Sequence, residues 1–166
     1  MEWQEQLRIL GQVALAMALA AVIGAERELA RKPAGLRTHM LVSGAAALLV
    51  GLAFTIVRRF AGSSDYPLVR VDPVVVIQAV VTAVGFLGAG TILHRSPGSG
   101  SSPSEEVEGL TTAASLLFVA ALGTCVALGQ GILAGGVTAL GWLTLRVVEK
   151  VEMRLHRRIP PVRPEP

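Results

Sequence analysis

The residues of this 166-residue chain that could do chemistry gather in four stretches: GAERE at 24–28, KPAGLRTHMLV at 32–42, GFLGAGTI at 85–92 and EGLTTAAS at 108–115. The first two supply Glu26, Arg27, Glu28, Lys32, Arg37, Thr38 and His39; the last two supply Gly88, Gly90, Thr91, Thr111 and Thr112. Acids beside bases form ion pairs or hold a cation. A histidine can exchange a proton near neutral pH, threonine hydroxyls bond backbone or ligand, and glycines at a loosened helical turn expose carbonyls. No catalytic framework accompanies them. The sequence has no G-x-S-x-G, no H-E-x-x-H, no phosphate loop and no cysteine-histidine zinc spacing. The expectation is a polar site in a protein that is not an enzyme and uses no cofactor, with metal binding left open.

The elements that must position these residues follow from composition. Hydrophobic residues make up 52% of the chain, glycines number 18 and the mean hydropathy is +0.58, which is too apolar for an ordinary soluble domain. Uncharged runs at 9–25, 40–57, 73–93 and 109–145, the last broken at Gly129-Gln130-Gly131, predict an all-α polytopic membrane protein. Five helices are expected at about 7–27, 38–58, 73–94, 107–128 and 131–149, forming one transmembrane domain over 1–149. A basic, proline-rich tail follows at 150–166. Cys125 is the single cysteine and has no internal partner. The segment before the first apolar run is not positively charged, which argues against a cleaved signal peptide.

With five spans, the hinge at 26–39, the loop near 94–108 and the tail share one side of the membrane. That side carries 11 of the 15 Lys and Arg residues, so the positive-inside rule predicts an outside N-terminus and a cytoplasmic tail. The net charge of +3 is then explained by topology and anionic headgroups, and nucleic acid is not an expected partner. Helices 1 end, 2 begin, 3 end and 4 begin at the same face, so all four motif stretches converge there.

Helices associate in a bilayer where small residues allow close approach and polar groups meet. Helix 1 offers such a seam in Gly11, Ala14, Ala18, Ala21, Ala25 and Glu28, and helix 3 another in Gln78, Thr82, Gly85 and Ala89. The expectations are that Glu28 faces inward and pairs with Arg37 near Thr111 and Thr112, while Glu26 snorkels or finds a cation. Arg27, Arg31 and Lys32 read as topology signals. Gly85, Gly88, Gly109, Gly131 and Gly135 are expected at helix contacts. Small faces on helices 1, 3 and 5 further suggest a homo-oligomer, with a dimer favoured. Asp72-Pro73 reads as the cap and first residue of helix 3.

In combination, ERE, KPAGLRTH, GFLGAG and GLTTAA resemble the MgtC/SapB family of bacterial inner-membrane proteins, over residues 11 to about 136. The resemblance implies a multi-pass protein linked to growth under magnesium limitation and, in pathogens, to survival in host cells. It is compatible with a regulator of partner membrane proteins or with a small divalent-cation or proton transporter. The acids cluster at one end rather than along a mid-membrane path, which favours the regulator. A lipid-interacting protein using the basic hinge is a third, minor reading. The chain departs from the family pattern at Val75, Ala83 and Leu117, where arginine, glycine and tryptophan are common, and the resemblance is expected not to extend to the C-terminal cytosolic domain of many members.

Overall fold

The computed structural model describes residues 3–60, 72–93 and 106–156. They form five helices, α1 (Trp3–Leu29), α2 (Leu36–Phe60), α3 (Pro73–Leu93), α4 (Glu106–Ala127) and α5 (Gly131–His156). Each contains a stretch long and apolar enough to cross a hydrocarbon core of about 30 Å. The chain is thus an all-α, multi-pass membrane protein. α1 is already helical at Trp3, ahead of the expected start near 7, because Gln4, Glu5 and Gln6 are ordinary helix formers and Glu5 complements the N-terminal dipole. α5 continues to His156, beyond the expected end at 149, because nothing from Val147 to His156 interrupts a helix.

Local chemistry fixes the helix ends. At the end of α1 the Lys32 N–H donates to the Arg27 carbonyl and the Arg31 N–H to the Glu28 carbonyl, both at 3.0 Å. Arg31 takes φ +55°, the left-handed turn in which glycine is usual. The same closure ends α4, where Gly129 has φ +77° and the Gln130 N–H donates to the Cys125 carbonyl at 2.9 Å. Asp72 caps α3, its Oδ1 accepting the Val74 N–H at 2.8 Å ahead of Pro73.

α4 is the centre of the bundle and packs against all four other helices, whereas α3 and α5 make no contact with each other among the described residues. Small residues set these contacts. A Cβ on Gly123 of α4 would collide with the Ser43 carbonyl of α2, and one on Gly24 would lie 2.8 Å from the Leu36 Cα. Gly88 of α3 packs on Ala113 of α4 in the same way, and Gly109 on Ile92. Between them Ile23, Leu116, Val119, Leu122 and Val50 are sealed from the surroundings. The outward faces carry large apolar residues such as Phe86 and Ile132, as lipid-facing surfaces do.

Two expected seams turn outward. The buried line on α1 is Ile9, Ala16, Ala20, Ile23, Gly24 and Arg27, whereas Gly11, Ala14, Ala18 and Glu28 are exposed. Alanines occur on both sides of α1, so residue size alone did not choose the face. On α3 the buried line is Val80, Val84 and Gly88; Gln78, Thr82, Gly85 and Ala89 are exposed. Gly85, Gly131 and Gly135 have no atom within 4 Å of where a Cβ would stand, so within one chain they are not packing glycines.

Candidate functional site

The hinge between α1 and α2 and the adjoining start of α4 form two layers of polar groups. The inner layer begins with Glu26 and Arg27, which are 3% and 4% exposed. The Arg27 Nε donates to Glu26 Oε2 at 2.6 Å and Nη2 to Oε1 at 3.0 Å, a forked pairing between sequence neighbours. Their side chains leave the helix about 100° apart, and the reach of arginine closes that gap. Glu26 is the one buried carboxylate among the described residues, and its charge is neutralised where it stands.

His39 lies beside this pair on the first turn of α2, fully enclosed. Gly24 makes room for it, since a Cβ there would come within 3.0 Å of the His39 Cβ. Its Nδ1 is 2.8 Å from the Gly35 carbonyl and its Nε2 is 2.9 Å from the Ser115 hydroxyl. The Ser115 Oγ is in turn 2.8 Å from the Thr112 carbonyl. The imidazole therefore joins the hinge, α2 and α4. No side-chain N or O atom buried among the described residues is left without a hydrogen-bond partner.

The outer layer is open. Glu28 is exposed, and its Oε2 accepts the Leu36 N–H at 2.8 Å, so a carboxylate from the last turn of α1 caps the start of α2. The expected inward Glu28–Arg37 pair does not form: Glu28 is held at the rim by that cap, and Arg37 points to the surroundings. Thr38, Gly90 and Thr111 are also exposed, and Lys32 and Thr91 are half-buried. The Thr91 hydroxyl donates to the Gly88 carbonyl at 2.7 Å inside its own helix, so the glycine-rich turn of α3 stays helical. Thr112 and Gly88 are buried with the inner layer. Sequence reasoning missed Ser115. Its signal was present, three residues after Thr112 on one helical face.

A sequence profile of the MgtC family matches residues 13–154, which is most of the chain. The chain belongs to the MgtC family. It is 33% identical over 156 residues to an uncharacterized protein of Haemophilus influenzae, covering 93% of this chain and 61% of that one. Protein SrpB of Synechococcus elongatus is 41% identical over 115 residues, 69% of this chain and 60% of its own length. A protein of Escherichia coli named putative magnesium transporter YhiD is 35% identical over 148 residues, 87% of this chain and 62% of its own length. This MgtC-family chain thus spans about 60% of the length of these relatives. No solved structure matches it.

The arrangement defines what this MgtC-family site can do. The inner layer is an electrically neutral, internally bonded polar plug. The outer layer presents Glu28, Arg31 and Arg37 with Thr38 to whatever adjoins that end of the bundle. Among the described residues, no three His, Cys, Asp or Glu side chains come together.

Proposed function

We propose that this protein acts in the inner membrane as a regulator that binds partner membrane proteins through the charged rim of the hinge, within the adaptation to magnesium limitation to which its resemblance points. The hinge and the C-terminal end are cytoplasmic in this reading, following the lysine and arginine bias. One observation carries it: the sole carboxylate buried among the described residues, Glu26, is engaged by both arms of the Arg27 guanidinium, while Glu28, Arg31 and Arg37 stand outside. A cation pathway needs oxygen ligands available along its length, and a carboxylate committed to arginine is a poor one. A rim of mixed charge suits a partner surface.

The second reading is a magnesium transporter, favoured by the name of the Escherichia coli relative. Reconstitution decides between them. Proteoliposomes containing this protein alone are expected to show no magnesium uptake above empty vesicles under an imposed gradient. Robust gradient-driven uptake that Glu26→Gln abolishes overturns the regulator.

A further inference from the structure

At the end of the bundle opposite the hinge, a cavity of ≈ 210 Å³ opens between α1, α2 and the α4–α5 turn. Its walls include Arg8 and Gln12 from α1, Phe54 and Arg58 from α2, and Gly129 from the turn. That volume corresponds to about seven waters at ~30 Å³ each, enough for a small polyatomic ion or the polar part of a headgroup. The two guanidinium groups come from different helices and are lightly committed. The Arg8 Nη2 stands 4.0 Å from Glu5 Oε1 with nearly half of its side chain exposed. Glu5 is also hydrogen-bonded by the Thr55 hydroxyl, at 3.4 Å. The Arg58 side chain makes no ion pair or hydrogen bond among the described residues.

Two features separate this cavity from an ordinary cluster of helix-end charges. Arg58 lies in the last turn of α2, where a cation complements the carbonyl dipole, whereas Arg8 lies in the second turn of α1, beyond the reach of the dipole at that helix's start. Apart from its long i,i+3 contact with Glu5, nothing in the helix accounts for Arg8. The carbonyls that close α4 would repel an anion, yet Gln12 Nε2 donates to those of Ala127 at 3.1 Å and Val126 at 3.4 Å. The amide masks the negative end of α4 on the side where the two arginines stand.

We propose that this cavity binds one phosphate group, its oxygens shared between the Arg8 and Arg58 guanidiniums beside Phe54. Arginine presents paired donors that match phosphate oxygens. The phosphate comes either from a phospholipid headgroup or from free inorganic phosphate. This inference does not depend on the role assigned to the hinge.

The test titrates the full chain, in an uncharged detergent and phosphate-free buffer, with inorganic phosphate in one arm and short-chain phosphatidylglycerol in the other. Binding is followed by phosphorus NMR. Saturable one-site binding is expected in at least one arm, and the arm with the tighter binding names the source. Joint Arg8→Gln and Arg58→Gln substitution is expected to weaken binding about tenfold or more, and joint substitution to lysine severalfold, because charge remains but the fork is lost. Arg59→Gln, exposed at the same end but outside the cavity wall, should change binding less than twofold. A thermal transition checks each variant, and the lysine variant carries the comparison if the glutamine one does not fold. Absence of saturable binding in both arms, or equal weakening by Arg59→Gln, overturns the proposal.

Discussion

His39 and Ser115, from helices that are not neighbours in sequence, meet at 2.9 Å between ring Nε2 and hydroxyl oxygen, in the enclosed centre of the hinge site. The Gly35 carbonyl on the other side of the ring can only accept, so Nδ1 carries a proton. In the neutral ring Nε2 is then the acceptor, and Ser115 donates to it. The same hydroxyl lies 2.8 Å from the Thr112 carbonyl. One hydroxyl proton serves the ring or the carbonyl. Ring and helix α4 are thereby coupled through a single group.

This relationship predicts that nitrogen NMR of histidine-labelled protein finds His39 with its proton on Nδ1. His39→Ala is expected to lower stability by about 2–4 kcal/mol, combining a vacated core volume with two lost hydrogen bonds. Thermal unfolding in mild detergent measures it. A change under about 0.5 kcal/mol would mean that the ring is not the tie between α2 and α4.

Glycine substitutions should separate real contacts from unoccupied faces. Gly123→Ala forces the α2–α4 crossing apart at the Ser43 carbonyl and is expected to cost about 1–3 kcal/mol. Gly85→Ala meets no atom within 4 Å in a helix interior and should be neutral or stabilising by about 0.5–1 kcal/mol. The two unfolding curves give both values. If Gly85→Ala instead lowers the mass of the particle in nanodiscs, the exposed α3 glycine face is where a second copy packs, as the expectation of a dimer requires.

The spans were legible because each is an uncharged run bounded by charges or by a glycine break, a signal that survives without any packing information. The inward faces were harder to read. α1 has alanine at 14, 16, 18, 20, 21 and 25, so a small-residue criterion fits two faces, and the true one was decided by Gly24 fitting under α2. The site's residue types were visible, but their layering was not. Glu26 and Glu28 differ by two positions, and which one turns inward depends on Arg27 folding back over Glu26 and on Glu28 capping Leu36. Both are short-range hydrogen bonds that no periodicity encodes.

Membrane sidedness is testable with two cysteines. With Cys125 replaced by alanine, cysteine introduced at Ser63 is expected to react with an impermeant thiol reagent in intact cells, and cysteine at Ser99 only after the membrane is opened. These positions lie in the connections between α2 and α3 and between α3 and α4, which five spans place on opposite sides. The reverse labelling pattern would invert the topology and put the hinge rim outside, removing it from cytoplasmic partners.

The forked pair at the hinge makes the sharpest prediction. Glu26 and Arg27 are both almost fully enclosed, with contacts of 2.6 and 3.0 Å, so removing either one strands the other's charge away from water. Breaking such a pair from one side costs about 3–5 kcal/mol, whereas exposed pairs contribute at most about 1 kcal/mol. Glu26→Gln and Arg27→Gln should each destabilise by the larger amount. The double variant should lose much less than the two losses added together, because two neutral amides leave no stranded charge. The same cycle run on Glu28 and Arg37 should be additive, with Glu28→Ala costing about 0.5–2 kcal/mol for the lost cap of α2 and Arg37→Gln close to nothing. Equal, additive losses in both cycles would show that the enclosed pair is not the electrostatic lock of the hinge. A large coupling confined to Glu26 and Arg27 would place the lock at the base of the hinge and leave the outer charges free for a partner.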